Sequence, residues 1–198
     1  ANPNNPTGTY VNNQEVNSFL KKNPKNIIVV FDEAYNEFID VDDFPKTLNL
    51  FKKYNIIILR TFSKTFGLAG LRIGFAIAKQ ELVNIMNKVR QPFNVNSLAA
   101  VAAIAAVDDV AFLRKTQQLI WKEKEFLYTS LRRLNVKFIP SVANFILIDV
   151  EENCDRIFAA LLKKGVIVRP MNSYGLNNFI RVTIGTHREN VRFIKELE

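Results

Sequence analysis

The sequence contains very little cysteine and histidine, and these shortages exclude several kinds of site. Its 198 residues include one cysteine, Cys154, and one histidine, His187. One cysteine can form neither an internal disulfide framework nor a cysteine-rich zinc site. One histidine disfavours metal sites built from several imidazoles and leaves no second histidine for a proton relay. We therefore expect chemistry without a resident metal ion.

Long apolar runs and an export signal are also missing. The longest apolar run, at 98–107, is far shorter than the roughly 20 residues that a membrane-spanning helix needs. No basic segment followed by an apolar one opens the chain. We therefore expect no membrane association, no export and a cytoplasmic location.

Acidic residues are fewer than basic ones, with 19 Asp and Glu against 27 Lys and Arg and a net charge of +8. Four basic pairs, at 21–22, 52–53, 132–133 and 163–164, are scattered along the chain near the ends of predicted helices. Such pairs are common there because they complement the helix dipole and keep the surface soluble. No basic motif is interleaved with aromatic residues, so we expect no nucleic-acid partner. A basic, non-enzymatic nucleic-acid-binding module is a remote alternative.

The first half of the chain alternates helical and strand-like segments. A helix capped by Asn12 precedes the apolar run 27–31, which is short and continuous and predicts a strand buried on both sides. Further apolar runs at 55–59 and 72–78 predict two more strands. Strands and helices in this order indicate an α/β fold with a parallel sheet and crossover connections.

The second half has a different character, with long helices first and short strands afterwards. Its pattern predicts a small α+β layer that is joined to the first half through one long helix. We accordingly divide the chain into domains at 1–108 and 109–198. The predicted helices are 79–89, 96–107, 109–134, 153–164 and one from 187, and the predicted strands are 136–139, 144–149, 166–169 and 178–184.

Polar side chains follow the first two predicted strands, at the point where each strand ends. The segment 32–35 (Asp-Glu-Ala-Tyr) follows one strand, and 60–64 (Arg-Thr-Phe-Ser-Lys) follows the next. Parallel α/β sheets place their sites at this edge. Each residue taken singly is also a common turn or capping residue. Their order and spacing together favour a functional site.

Six motifs occur in an order that is typical of one family. The first half contains NPNNPTG, VVFDEAY and RTFSKTFGLAGLRIGF, and the second contains ANFILIDV, GVIVRPM and FIRVTIGT. The first three resemble the signature segments of fold-type I pyridoxal-phosphate aminotransferases. The last three are similar to the carboxyl-terminal segments of the histidinol-phosphate branch of that family. The resemblance covers essentially the whole chain, and the SK-x₇-R spacing from Lys64 to Arg72 is highly specific.

The resemblance implies pyridoxal 5′-phosphate as cofactor and Lys64 as the catalytic residue. Lys64 would form the Schiff base with the cofactor aldehyde and then move a proton between Cα and the cofactor, because imine exchange needs an amine. Asp32 would pair with the pyridinium nitrogen and keep the ring protonated. Asn5 and Tyr35 would hydrogen-bond the phenolic oxygen of the ring. Packing is the alternative role for Tyr35.

Six further positions match residues that bind anions or recur in the family. The resemblance implies that Thr61, Ser63 and Arg72 hold the cofactor phosphate, since hydroxyl and guanidinium donors suit a dianion. Helix capping explains Thr61 equally well. Arg181 would bind the substrate carboxylate in one half-reaction and the substrate phosphate in the other, and Arg169 would also reach that phosphate. A structural salt bridge is the alternative for Arg169, and Asn144 matches a family position without a chemical role that we can assign.

The implied fold is part of a large cofactor-binding domain, with a mixed, mostly parallel sheet, and a small α+β domain. The implied reaction is transamination of histidinol phosphate with 2-oxoglutarate in histidine biosynthesis, by a homodimer. A threonine-phosphate decarboxylase and an aromatic aminotransferase of the same family are the alternatives. Family members have a further segment ahead of NPNNPTG. We therefore expect this chain to be an inactive fragment that exposes an apolar sheet face.

Overall fold

The computed structural model describes residues 1–198 as a mixed α/β chain. It divides into two compact units, unit 1 (Ala1–Pro3 with Tyr10–Lys115) and unit 2 (Asn4–Thr9 with Thr116–Glu198). None of the helices has both the length and the apolar character that crossing a membrane requires. The helices are α1 (Asn13–Lys22), α2 (Gln80–Val89), α3 (Ser97–Asp108), α4 (Val110–Arg133), α5 (Cys154–Lys163) and α6 (His187–Leu197). The strands are β1 (Val29–Asp32), β2 (Ile56–Thr61), β3 (Gly74–Ala78), β4 (Lys137–Ile139), β5 (Phe145–Asp149), β6 (Arg169–Pro170) and β7 (Phe179–Thr183).

Unit 1 contains a three-stranded sheet in the order β1-β2-β3. The strands β1 and β2 are parallel, as the sequence predicts, but β3 runs antiparallel to β2. The expectation of a parallel third strand is therefore wrong. A parallel connection usually needs a crossover helix, whereas the link 62–73 contains only a short 3-10 turn at Ala69–Leu71.

One face of this sheet packs against α1. The helix begins with the predicted cap, because the Asn12 side chain accepts a hydrogen bond from Glu15 N and the Glu15 carboxylate accepts one from Asn12 N. Both bonds satisfy amides that the first turn leaves without helical partners. The buried cluster beneath α1 consists of Val16, Leu20, Phe31, Ile56 and Ile58.

The other face of the unit 1 sheet is largely exposed. Val30 is 52% exposed and Leu59 37%, and Ile28, which directly precedes β1, is 48% exposed. The prediction that the run 27–31 is buried on both sides is therefore wrong, because strand side chains alternate and α1 covers only the face that holds Phe31. The expectation of an exposed apolar sheet face is confirmed.

Unit 2 contains a four-stranded antiparallel sheet in the order β4-β5-β7-β6. Its central strand β5 is buried along 145–148. Helices α4, α5 and α6 contribute the buried side chains of Leu127, Leu161 and Phe193. A strand with one face in solvent has alternating buried and exposed residues. The residues at 145–148 are all buried, so both faces of β5 pack against other parts of the chain.

Candidate functional site

The carboxyl ends of β1 and β2 carry polar residues to one edge of the unit 1 sheet. Because the two strands are parallel and Asp32 is in register with Leu59, their ends lie side by side. A cleft of about 310 Å³ opens at this edge. Its lining comprises Asp32, Ala34, Leu59, Arg60, Thr61, Ser63, Lys64 and Arg72. Five residues that the sequence singles out as site candidates thus meet in one cleft.

Lys64 lies in the turn that follows β2, and its side chain is exposed. Its Nζ lies 5.5 Å from the centroid of the Tyr35 ring, which is buried. This distance allows a cation–π attraction between the ammonium group and the ring face. The contact places the amine beside the segment that follows β1.

Donor groups gather around Ser63 on the same edge. Thr61 Oγ1 accepts a hydrogen bond from Ser63 N at 3.0 Å, and Arg72 Nη1 lies 3.5 Å from Ser63 Oγ. Arg72 also donates to Ala69 O at 2.8 Å, and its φ of +55° is in the left-handed region. Thr61 caps no α-helix, because the segment 62–73 contains none. Two hydroxyls and a guanidinium in this arrangement suit a dianionic group.

Asp32 ends β1 with its carboxylate at the cleft. Its Oδ1 accepts a hydrogen bond from Ala34 N at 3.1 Å, and the side chain is exposed. The Asp32 carbonyl accepts a hydrogen bond from Asn2 N at 3.0 Å. The carboxylate is therefore oriented by its own turn and is open to a cationic partner from the cleft.

The remaining candidates, Asn5, Arg169 and Arg181, belong to unit 2. Arg181 Nη1 donates a short hydrogen bond to Asn5 Oδ1, and the guanidinium lies 4.9 Å from the Phe145 ring centroid. The buried Nε of Arg181 has no hydrogen-bond partner. A buried donor without an acceptor is costly, so this guanidinium has capacity for an anion.

Arg169 stands directly opposite Arg181 in the register of β6 and β7. Directly opposed side chains share a face of the sheet, and like charges in that position repel. Arg169 is exposed. An anion that contacts both guanidinium groups would relieve their repulsion. Asn144 has a structural part, since its carbonyl accepts from Ile184 N at 2.9 Å.

A buried ionic network beside the cleft was not foreseen from the sequence. Glu33 is fully buried and contacts Arg60, which also contacts Glu37. Burial raises the pKa of both carboxyl groups, although Thr47 and Arg60 oppose the shift for Glu33. The sequence does contain one signal for this network. Glu33 directly follows Asp32 and Arg60 directly precedes Thr61, so two residues of opposite charge stand at the ends of neighbouring strands.

Solved structures with the same architecture define the class of protein. One is the histidinol-phosphate aminotransferase from Sinorhizobium meliloti in complex with pyridoxal-5′-phosphate. It matches with a TM-score of 0.89 and 29% sequence identity, over 99% of this chain and 55% of that chain. The fold is therefore that of the pyridoxal-phosphate aminotransferases.

The sequence comparison then gives the family. Residues 1–197 match the model of aminotransferase class I and II, and the chain belongs to this family, as its motifs predict. It is 48% identical to histidinol-phosphate aminotransferase 2 of Carboxydothermus hydrogenoformans, over 100% of this chain and 55% of that protein. It is 46% identical to histidinol-phosphate aminotransferase of Moorella thermoacetica, over 100% of this chain and 52% of that protein. The chain thus spans about half the length of these relatives.

Proposed function

We propose that this chain carries the catalytic lysine and anion-binding residues of a pyridoxal-phosphate aminotransferase. The enzyme would transfer an amino group between histidinol phosphate and 2-oxoglutarate in the cytoplasm, as a step of histidine biosynthesis. The observation that carries the proposal is the cleft in which Asp32 and Lys64 meet the donors of Thr61, Ser63 and Arg72. Its volume of about 310 Å³ lies within the range of small-ligand sites.

The donor set of the cleft fits the cofactor. Asp32 offers a carboxylate to the ring nitrogen, and the hydroxyls of Thr61 and Ser63 with the Arg72 guanidinium offer donors to the phosphate. When bound, the cofactor supplies an aldehyde that reacts with amines and a ring that accepts the electrons left at Cα. The negative charge of Asp32 would hold the proton on the ring nitrogen of the bound cofactor.

Lys64 would hold and move the proton. Its side chain is exposed and lines the cleft, so the amine would be available to a cofactor bound there. The Tyr35 ring, 5.5 Å from Nζ, limits the directions in which the long side chain points. A lysine with restricted geometry loses less entropy when it delivers a proton to Cα.

The two opposed arginines of unit 2 would bind the anionic groups of the substrates. Arg181, with its Nε lacking a partner, would take the carboxylate of glutamate and contact the phosphate of histidinol phosphate. Arg169, opposite it in the sheet, would serve the phosphate. We further propose that Asn5 contacts the phenolic oxygen of the cofactor, that the active enzyme is a homodimer, and that residues 1–108 and 109–198 correspond to the large and small domains.

Product analysis tests this function against its alternatives. We expect the full-length protein to convert histidinol phosphate with 2-oxoglutarate, and the variant Arg169→Gln to lose affinity for histidinol phosphate more than for glutamate. Predominant release of CO₂ from threonine phosphate would instead identify a decarboxylase. A preference for phenylalanine would identify an aromatic aminotransferase. Sequence-selective DNA binding at physiological salt, without turnover, would support the basic-module alternative.

A further inference from the structure

A buried ionic network lies beside the cleft and is made of Glu33, Arg60, Glu37 and Thr47. Arg60 Nη2 lies 2.6 Å and Arg60 Nε 2.9 Å from Glu33 Oε2. Arg60 Nη1 lies 3.1 Å from Glu37 Oε1, and Thr47 Oγ1 donates to Glu33 Oε1 at 2.5 Å. The Glu33 side chain is fully buried, and those of Arg60 and Glu37 are each 12% exposed.

The network is joined to the cleft by the chain itself. Glu33 directly follows Asp32, and Arg60 directly precedes Thr61. Asp32 is in register with Leu59, and Glu33 N donates to Leu59 O at 3.0 Å. Consecutive side chains of a strand point to opposite faces. The ionic contacts of Arg60 with Glu33 therefore lie on the opposite face of the strand ends from the Asp32 and Thr61 side chains, although Arg60 also forms part of the cleft lining.

Arg60 also anchors the chain on both sides of Tyr35. It contacts Glu33 two residues before Tyr35 and Glu37 two residues after it. The backbone of this turn is held by bonds from Asn36 N to Glu33 O at 3.0 Å and from Phe38 N to Tyr35 O at 3.1 Å. One guanidinium thus fixes the segment that carries Asp32 and Tyr35 against the strand that carries Thr61.

Stability alone is a weak reason for such a network. Replacing a buried ion pair with well-packed apolar residues is often neutral or stabilising, because both charges lose their hydration. Charged groups that form several directed hydrogen bonds do, however, hold the side chains in a defined geometry. All three guanidinium nitrogens of Arg60 contact the carboxylates of Glu33 and Glu37, and the side chain cannot rotate without breaking these contacts.

We propose that Glu33 and Arg60 are positioning residues, whose ion pair aligns Asp32, Tyr35 and Thr61 for the cofactor through the two strand ends that it joins. This inference rests on the proposed function, because it presumes that these three residues contact the cofactor. It assigns the network a role in cofactor geometry and turnover, whereas a purely structural role would affect only unfolding.

The test uses the full-length protein and the variants Glu33→Gln, Arg60→Lys and the double variant Glu33→Leu/Arg60→Met. The double variant removes both charges of the Glu33–Arg60 pair together, so no charge is left at the fully buried position, and the remaining loss is the Arg60 contact of Glu37, whose side chain is 12% exposed. The matched control is Lys137→Ala, which breaks an exposed pair with Glu151 in unit 2. For each protein we would measure thermal unfolding, the dissociation constant of pyridoxal phosphate, the visible circular dichroism of the bound cofactor, and kcat and KM.

We expect the double variant to remain folded while its cofactor affinity and kcat each fall by about 10–100-fold, the range typical of residues that orient ligating groups. The visible dichroism should change and KM should stay within about threefold, since the substrate arginines are untouched. Arg60→Lys should lie between the double variant and wild type.

Wild-type dichroism, cofactor affinity and kcat in a folded double variant would overturn the inference. Altered unfolding with unchanged cofactor properties in Glu33→Gln and Arg60→Lys would do the same. A wild-type protein that neither binds the cofactor nor turns over substrate would contradict the proposed function itself, so the two failures are distinct.

Discussion

The two sheets of this chain are stabilised in different ways. In unit 2 the central strand β5 is buried from Phe145 to Ile148, so its order comes from apolar contact. In unit 1 the sheet is covered by α1 on one face only, and Val30 on the other face is 52% exposed. The end of that sheet is fixed by Glu33 and Arg60, whose contacts are ionic. Directed ionic contacts specify where a side chain points, whereas apolar burial mainly supplies stability.

The largest expected effect is a loss of turnover without a loss of stability. Lys64→Ala in the full-length protein should reduce turnover by at least about 10⁴-fold, because no other amine lines the cleft to replace it. Its unfolding temperature should stay near that of wild type, since Lys64 is exposed. Steady-state kinetics and thermal unfolding provide the two measurements. Turnover at the wild-type rate would show that Lys64 is not the catalytic residue.

Replacing an isoleucine with alanine in each unit compares a buried strand residue of unit 2 with an exposed residue of unit 1. Ile146→Ala in β5 should lower the free energy of unfolding by about 2–5 kcal/mol, because Ile146 has no exposed surface and a cavity would remain. Ile28→Ala, at a residue that is 48% exposed in unit 1, should cost less than about 1 kcal/mol. Denaturant unfolding of the 198-residue chain measures both. Equal losses would mean that the exposed face of unit 1 is covered in solution.

A smaller effect concerns the loop that carries Asn5. Gly8 and Gly175 both have φ of +74°, so an alanine at either position is strained by about 1 kcal/mol. A Cβ on Gly8 would also overlap the Ser141 hydroxyl, whereas nothing lies within 4 Å of a Cβ on Gly175. We expect Gly8→Ala to be more destabilising than its control Gly175→Ala by about 1–3 kcal/mol, the range for overpacking.

Thermal unfolding of the two glycine variants gives the comparison. The second variant Gly8→Ala/Ser141→Gly should recover the part of the loss that comes from overlap, and the single variant Ser141→Gly is its reference because Ser141 Oγ accepts a hydrogen bond from Ala143 N. A loss for Gly8→Ala that equals the loss for Gly175→Ala would show that Ser141 moves aside without cost.

Much of the fold was readable because local signals agreed with tertiary contacts. The helix predicted at 109–134 is α4, Val110–Arg133, and the strand predicted at 55–59 is β2, Ile56–Thr61. The capping pair Asn12 and Glu15 was also visible, because both partners lie within one turn. A helix or a helix cap depends on residues three or four positions apart, so the local sequence is enough to predict it.

The features that could not be read depend on which distant segments meet. The antiparallel pairing of β3 and the exposed face of β1 follow from which strand and helix lie next to them. Likewise, Glu33 and Arg60 are 27 residues apart, and only the parallel pairing of β1 and β2 brings their side chains together. No periodicity within either segment contains that information.

By itself the sequence determined the family and the chemical groups of the site, because ordered motifs such as SK-x₇-R fix residue types at required spacings. Tertiary structure alone decided how those groups are held. In the folded chain Arg169 lies opposite Arg181 on neighbouring strands, and the buried Glu33 contacts Arg60 beside the cleft. The physical reason is that burial and charge pairing are properties of neighbours in space, and strand register and chain reversal choose those neighbours.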